Sequence, residues 1–268
     1  MRIKSFETYL REENLSENTV KSYVFSVETY MKMFKKINSR SIAEYKEYLV
    51  KHYQTQTVNL RLIGLSKYLK FLKKEKLRPK LIKYKKENFL QNVITYEDYE
   101  FLKESLKKDQ QLKWYFIVSY LGATGVRVSE IVQFKIFHIY DGFADIHSKG
   151  GKIRRVYIPK ILQEETLSWL SKLGRHEGPL FLNKNGGPIS IRGLSFGLKN
   201  FARRYKIDEK TVHPHSFRHL FAKKFLEKSG DITFLADILG HESIDTTRIY
   251  LRKSTEEQQR SINSIVSW

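Results

Sequence analysis

Four short segments in the second half of the chain combine polar side chains with a break in the backbone. The first is Gly125-Val126-Arg127-Val128-Ser129-Glu130. An arginine just inside a helix that starts after a glycine turn can aim its guanidinium fork and the helix dipole at one anion, although many surface helices begin the same way. The second is Lys149, at the tip of a hairpin whose strands are FADIH (143–147) and IRRVYIP (153–159), a place where lysine also serves solubility. In the third, HPHSFRHLFA (213–222), His215 and Arg218 stand three apart on one helical face and can converge on a single group. His213, His215 and His219 also invite a metal reading, but no carboxylate or cysteine stands nearby to complete a zinc set, and no metal is expected. The fourth is LGHESIDTTRIYL (239–251), with His241 after Gly240 at a helix end and Tyr250 nine residues on. A lone tyrosine is more often packing than nucleophile. The order Arg127, Lys149, His215-x-x-Arg218, His241, Tyr250 is more telling than any member, because together they make an inventory for phosphoryl transfer.

The elements that must position these groups follow from periodicity and caps. Before the middle of the chain every segment is helical. An opening helix falls near Ile3–Glu12, and a second follows a Ser16 N-cap, with Val20, Tyr23, Val24, Val27, Met31 and Phe34 at spacings of three and four. A short helix around Ser41–Lys51 shows Ile42, Tyr45 and Leu49 on one face; a fourth, roughly Thr57–Lys74, carries Leu62, Leu65, Leu69 and Leu72. Pro79 disfavours helix at Arg78, so the basic helix is expected to end near there. This gives a four-helix domain over 1–80, a basic linker over 81–92 and a second domain over 93–268. In the latter, Thr95 and Asp98 open a helix, Trp114–Leu121 reads as a buried one, and Gly122 and Gly125 break the chain before a new helix near Val126. Helices follow near Leu162–Leu173 and Ile191–Tyr205, and the last third is helical with breaks at Gly230 and Gly240. The fold class is mainly α with a small antiparallel β-sheet.

Composition narrows the partner. Of 268 residues, 49 are Lys or Arg against 29 Asp or Glu, a formal charge of +20, with a pI near 9.8. Residues 1–90 hold 21 basic against 9 acidic side chains, and the run at 69–87 has nine Lys or Arg among nineteen residues. Such a run is either a solvated helix face or a set of phosphate contacts. The candidates for DNA contact are Lys70, Lys73, Lys74, Lys76, Arg78, Lys80, Lys83, Lys85 and Lys86, with Arg192, Lys199, Arg203 and Arg204 on the second basic helix. No cysteine is present, which removes disulfides, thiolate-bound metals and thiol nucleophiles. No apolar stretch approaches a membrane span, and no secretory signal opens the chain.

ATGVRVSE, SKGGKIRRV, HPHSFRH, LGH and Tyr250 match, in order, the boxes of the tyrosine recombinase (phage integrase) family. SENTVKSYVFSVETY resembles that family's core-binding domain, and ITYEDYEFL the entry to its catalytic domain, so the resemblance covers nearly the whole chain. It implies an N-terminal SAM-like helical domain and an α+β catalytic domain forming a C-shaped clamp around DNA, in a member without an arm-binding domain. It implies metal- and ATP-independent cleavage through a 3′-phosphotyrosyl intermediate, with no cofactor. Tyr250 matches the nucleophile, and Arg127 and Arg218 the two arginines. Lys149, rather than Lys152, matches the lysine that protonates the leaving oxygen. His215 matches the residue that assists proton transfer at the tyrosine, His241 a second phosphate-binding position, and Glu130 an acidic buttress. Implied partners are double-stranded DNA with paired inverted-repeat core sites and three further copies of the chain, in a homotetramer formed on DNA from free monomers. The setting implied is the cytoplasm, on the nucleoid. The tail, with Ile262, Ile265, Val266 and Trp268, docks either on its own domain or on a neighbour. This chain departs from many relatives in Leu251-Arg252 after the tyrosine and in Ser148 before the lysine. Competing readings are a type IB topoisomerase and a non-catalytic DNA-binding protein of the same fold.

Overall fold

Polar caps fix where the helices begin. The computed structural model describes residues 2–83, 92–147, 153–241, 243–251, 262–264 and 266, and the chain divides into two units, Met1–Lys86 and Glu87–Trp268. The first unit holds α1 (Arg2–Glu12), α2 (Glu17–Met33), α3 (Ser39–His52) and α4 (Thr55–Phe71). Ser16 Oγ accepts the Thr19 amide at the start of α2. Across the first turn of α3, Asn38 and Ser41 each bond the other's amide through their side chains. Both devices satisfy amides that a first turn leaves without intrahelical partners. The apolar stripes close on two adjoining clusters, one around Phe6, Leu10, Val20, Val27 and Tyr68, the other around Tyr30, Tyr45, Leu49, Leu62, Leu65 and Leu69.

The basic helix does not run to Arg78. It stops at Phe71 because Lys73 takes a left-handed conformation (φ 57°), and the amides of Lys73 and Lys74 turn back onto the carbonyls of Lys70 and Leu69. That closure is a glycine's usual task, here done by lysine. One 3₁₀ turn, Glu75–Leu77, follows, and Arg78 is extended ahead of Pro79.

Among its described residues, the second unit is mainly helical with one two-stranded hairpin. In order come α5 (Tyr96–Lys108), α6 (Leu112–Thr124), α7 (Val128–Ile131), α8 (Ile136–Asp141), β1 (Phe143–His147), β2 (Ile153–Tyr157), α9 (Lys160–Lys172), α10 (Ile191–Arg204), α11 (Pro214–Ser229), α12 (Ile232–Leu239), α13 (Ile244–Arg248) and a 3₁₀ turn, Ile249–Leu251. The strands are antiparallel, Phe143 opposite Tyr157 and His147 opposite Ile153. Because side chains alternate along a strand, Arg154 and Val156 face inward while Ile153, Arg155 and Tyr157 face water. Helix α6 is buried from Phe116 to Leu121 and lies in the main core with Leu102, Phe134, Leu194 and Phe217. Helix α8 was not anticipated; six residues show too little periodicity to be read. The chain enters this unit through the Ile94 amide, which donates to Ser216 Oγ at 2.6 Å, tying the entry to the first turn of α11. Helices α6, α11 and α12 end at Gly125, Gly230 and Gly240, each with positive φ. Among the described residues, no helix is long and apolar enough to cross a membrane.

One contact on α10 tests the packing. A Cβ on Gly197 would come within 1.9 Å of the Trp114 ring. Gly197→Ala is expected to destabilise the protein by about 1–3 kcal/mol through overpacking, read as a lower denaturant midpoint at constant m value. An unchanged midpoint would mean that Trp114 yields without cost.

Candidate active site

The site forms where two helix C-termini meet the starts of two others. Gly125 at the end of α6 and Gly240 at the end of α12 leave their last carbonyls without intrahelical partners. Arginines take up those carbonyls. Arg218, on the first turns of α11 and only 2 % exposed, donates through Nη1 to the Gly125 carbonyl and through Nη2 to the Leu239 carbonyl, both at 2.7 Å. Its Nη2 also lies 2.9 Å from His241 Nε2. A guanidinium only donates, so Nε2 is the acceptor and the proton of neutral His241 sits on Nδ1, which donates to Thr247 Oγ1 at 2.7 Å.

Arg127 precedes α7 with extended backbone. Its amide donates to Glu130 Oε2 at 2.9 Å and its Nη1 to Oε1 at 2.7 Å. Its Nη2 donates to the Gly240 carbonyl at 3.2 Å. Glu130, the third residue of the short helix, thus caps the turn and holds the guanidinium in one arrangement. The carboxylate is buried, with 1 % of its surface in water, and a second arginine reaches it: Arg154 Nη1 donates to Oε2 at 2.5 Å.

Tyr250 sits in the closing 3₁₀ turn, its ring packed with Ala222, Leu235 and Leu239. It therefore reaches the site from its own chain. The ring lies parallel to His241 at 6.2 Å between centroids and edge-on to His219 at 5.1 Å. His219 in turn meets His215 at 4.2 Å, so two imidazoles lead from the solvent edge at His215 to the tyrosine. His219 Nδ1 is buried with no hydrogen-bond partner among the described residues.

Burial and crowded positive charge set the protonation states. Burial pushes the Tyr250 phenol up from its ordinary value, and the neighbouring Arg218 and Arg127 pull it back only in part. Arg218 is brought down to about 10, first by burial and then by Arg127 and Arg154, and stays charged at neutral pH. His241 is held down to about 4 by burial and then by Arg218, Arg127 and Arg154. His219 falls to about 3 through burial and the adjacent His215 and His213; His215 is lowered as well, by desolvation and then by Arg218. For Glu130, burial raises the carboxyl, yet Arg154 and Arg127 outweigh it and keep it below its usual range.

The structure gathers Arg127, Glu130, Arg218, His241 and Tyr250, with His215 at the rim. Lys149 falls between β1 and β2, outside the described residues, as do Lys85 and Lys86. Lys70, Lys73, Lys74, Lys76, Arg78, Lys80 and Lys83 are exposed on the first unit, and Arg192, Lys199, Arg203 and Arg204 on α10. Several are engaged: Lys70 with Glu13, Arg78 with Glu75, Arg203 with Glu209 and Arg204 with Asp109. Exposed pairs of this kind are worth little and can be exchanged for phosphate. In the tail, Ile262 and Val266 are exposed, while Ile265 and Trp268 lie outside the described residues. No group of three or more His, Asp or Glu side chains suited to a metal ion occurs among the described residues. Two neighbours of the site went unread in the sequence. Arg154 was signalled by the strand's alternation, and Thr247 by nothing in its spacing.

The chain is similar to known proteins over nearly its whole length. Residues 92–257 match the phage integrase family, and residues 3–76 match its N-terminal SAM-like domain. The chain is 30 % identical to tyrosine recombinase XerA of Pyrococcus furiosus, over 97 % of this chain and 92 % of that one. It is also 30 % identical to tyrosine recombinase XerC of Leptospira interrogans, over 95 % and 89 %. The XerH site-specific recombinase bound to palindromic difH substrate, in a post-cleavage complex, superimposes with a TM-score of 0.72 at 20 % identity, covering 94 % of this chain and 81 % of that one. The chain belongs to the phage integrase family, the tyrosine-type site-specific DNA recombinases.

The neutral histidines carry a stability signature. His241 and His219 have folded-state values of about 4 and about 3 against an ordinary 6.5. The unfolded chain takes up protons first, so stability is expected to fall as pH drops from about 6.5 toward 3–4. Thermal melts in pH steps should show this, and His219→Phe should remove part of the slope. A slope unchanged in that variant would mean that His219 is not buried neutral.

Proposed function

We propose that Tyr250 attacks a scissile DNA phosphate, forming a 3′-phosphotyrosyl bond while the bond from phosphorus to the 5′-oxygen breaks. Arg127 and Arg218 neutralise the charge that gathers on the non-bridging oxygens, a task for which the planar guanidinium is well suited. Lys149 gives a proton to the leaving 5′-oxygen, and His215, at the rim, assists removal of the phenol proton. His241 adds a phosphate contact by donating from Nε2, once Arg218 releases that nitrogen and the ring proton shifts to it from Nδ1. Glu130 fixes Arg127. A 5′-hydroxyl from another strand then attacks the phosphotyrosine, restoring the phosphodiester and the free phenol, so the bond energy is kept and neither ATP nor a metal is consumed. The observation that carries this reading is the meeting of Arg218 with His241 at 2.9 Å, beside a buried Tyr250 whose phenol is held protonated without substrate.

The same reading assigns the helical unit over 1–80, joined by the basic linker over 81–92, to sequence-independent grip on the duplex. The unit over 93–268 carries the chemistry. Four copies assemble on two paired inverted-repeat core sites in the cytoplasm, on the nucleoid, and exchange strands through a Holliday junction. The exposed Ile262 and Val266 suit a tail that docks on the next protomer of such a ring.

A suicide duplex carrying the DNA that flanks the protein's own gene tests the assignment. Wild type should form a covalent adduct in EDTA, and Tyr250→Phe should form none. No adduct on such DNA would sink the catalytic reading in favour of a non-catalytic DNA-binding protein; adduct without strand exchange between two sites would select a topoisomerase. Arg127→Ala and Arg218→Ala should each slow cleavage by about 10²–10³-fold, with DNA affinity within a few-fold of wild type. Affinity itself should drop by roughly a thousandfold between ~50 and ~200 mM salt; a flat response would remove the basic run from the interface.

A further inference from the structure

Arg154 is a buried cation that none of the reaction steps uses. It points inward from β2, with 7 % of its surface in water, and all three guanidinium nitrogens are engaged. Nη1 donates to Glu130 Oε2 at 2.5 Å. Nε and Nη2 both donate to the Ile238 carbonyl, at 2.8 and 2.5 Å. The side-chain stem also underlies Gly240, where an added Cβ would stand 2.6 Å from Arg154 Cδ. One side chain thus joins the second strand of the hairpin, the carboxylate that holds Arg127, and the turn that offers Leu239 to Arg218 and leads to His241.

Solvation alone does not explain the placement. A buried guanidinium is costly, and burial lowers Arg154 from its ordinary value despite Glu130. The charges facing Glu130 come from three elements: Arg127 on its own, Arg154 from β2 and Arg218 from α11. Without Arg154, Glu130 would keep Arg127 but lose its largest electrostatic attraction, and the α12 end would lose its tie to the hairpin.

We infer that Arg154 is a positioning residue for the recombination chemistry: by bridging Glu130 to the Ile238 carbonyl, it holds Arg127 in register with the Leu239–His241 turn. Arg154 touches no DNA in this role. The inference rests on the catalytic reading above and adds to it a residue outside the set that contacts phosphate. It also gives the hairpin a second duty, since the strand that follows Lys149 is the one that carries Arg154.

The test uses the full chain and the same suicide duplex from pH 5 to 9, with wild type, Arg154→Met, Arg154→Lys and the pair Arg154→Met/Glu130→Gln. DNA affinity and thermal midpoints are measured alongside. In Arg154→Met, adduct formation should slow by roughly 100-fold, the scale of a misplaced reacting group, with DNA affinity within about threefold. Its rate should gain an acid limb: the Glu130 carboxyl, freed from Arg154, rises in pKa, is protonated as pH falls, and releases Arg127. Arg154→Lys keeps a positive charge and should abolish that limb while recovering only part of the rate. The double variant removes charge and counter-charge together, so it should regain thermal stability without regaining cleavage. Wild-type rate and pH profile in a folded Arg154→Met would overturn the inference and leave the recombinase reading intact. So would cleavage that returns with stability in the double variant, which would make Arg154 merely structural. An inert wild type would overturn both.

Discussion

Like charges do not gather out of water unless something else solvates them, and the larger unit is built around that constraint. Arg127 stands close enough to lower the proton affinity of Arg154 and Arg218, and Arg154 lowers that of Arg218 as well, yet only one buried carboxylate, Glu130, is seen to pair with them among the described residues. The remaining solvation comes from backbone. The carbonyls of Gly125, Ile238, Leu239 and Gly240 all receive guanidinium protons. They belong to helix ends, where carbonyls lack intrahelical partners and the helix dipole is negative. A second carboxylate would hold the arginines more tightly but compete with a phosphate for them. Carbonyls stabilise the cations while leaving the net charge of the site positive.

The proposed nucleophile is placed by the opposite means. Tyr250 is packed by Ala222, Leu235 and Leu239, and desolvation keeps its phenol protonated until charge compensation improves. The apolar cage belongs to the same helices, α11 and α12, that present Arg218 and the Leu239 carbonyl. The Tyr250 phenol and the Arg218 guanidinium therefore share one scaffold, and their separation is set by helix packing rather than by a loop. His241 is neutral because burial, and then the neighbouring arginines, keep a second proton off its ring, and its tautomer is fixed by its bonds to Arg218 and Thr247.

Much of this was legible in the sequence, because local signals coincided with tertiary need. Ser16 and Thr95 cap the helices expected of them, and Gly125, Gly230 and Gly240 break the chain where positive φ is required. That Arg127, Glu130, Arg218, His241 and Tyr250 belong together was legible through their order and spacing; their protonation states and carbonyl partners were not, since these depend on contacts such as Arg218 with Gly125 across 93 residues. The end of α4 was missed because Lys73, not glycine, adopts the left-handed turn, and α8 because it is shorter than two helical turns. Arg154 was overlooked for a different reason. In Ile153-Arg154-Arg155-Val156-Tyr157 two arginines stand side by side, and strand alternation sends one into the site and the other to Asp145 at the surface. Charge counting treats them alike; a period of two does not.

Leu239 and Gly240 lend their carbonyls from the last turn of an eight-residue helix. Such turns open at a fraction of the free energy that unfolds a core. The hold of the protein on its arginines is therefore tied to the fraying of α12, while Ile117, Leu121 and Phe217 remain packed beneath. Reactivity and global melting are then separate thermometers. On warming, the arrangement of the arginines would soften first, and amide exchange at the end of α12 would report it before any loss of fold.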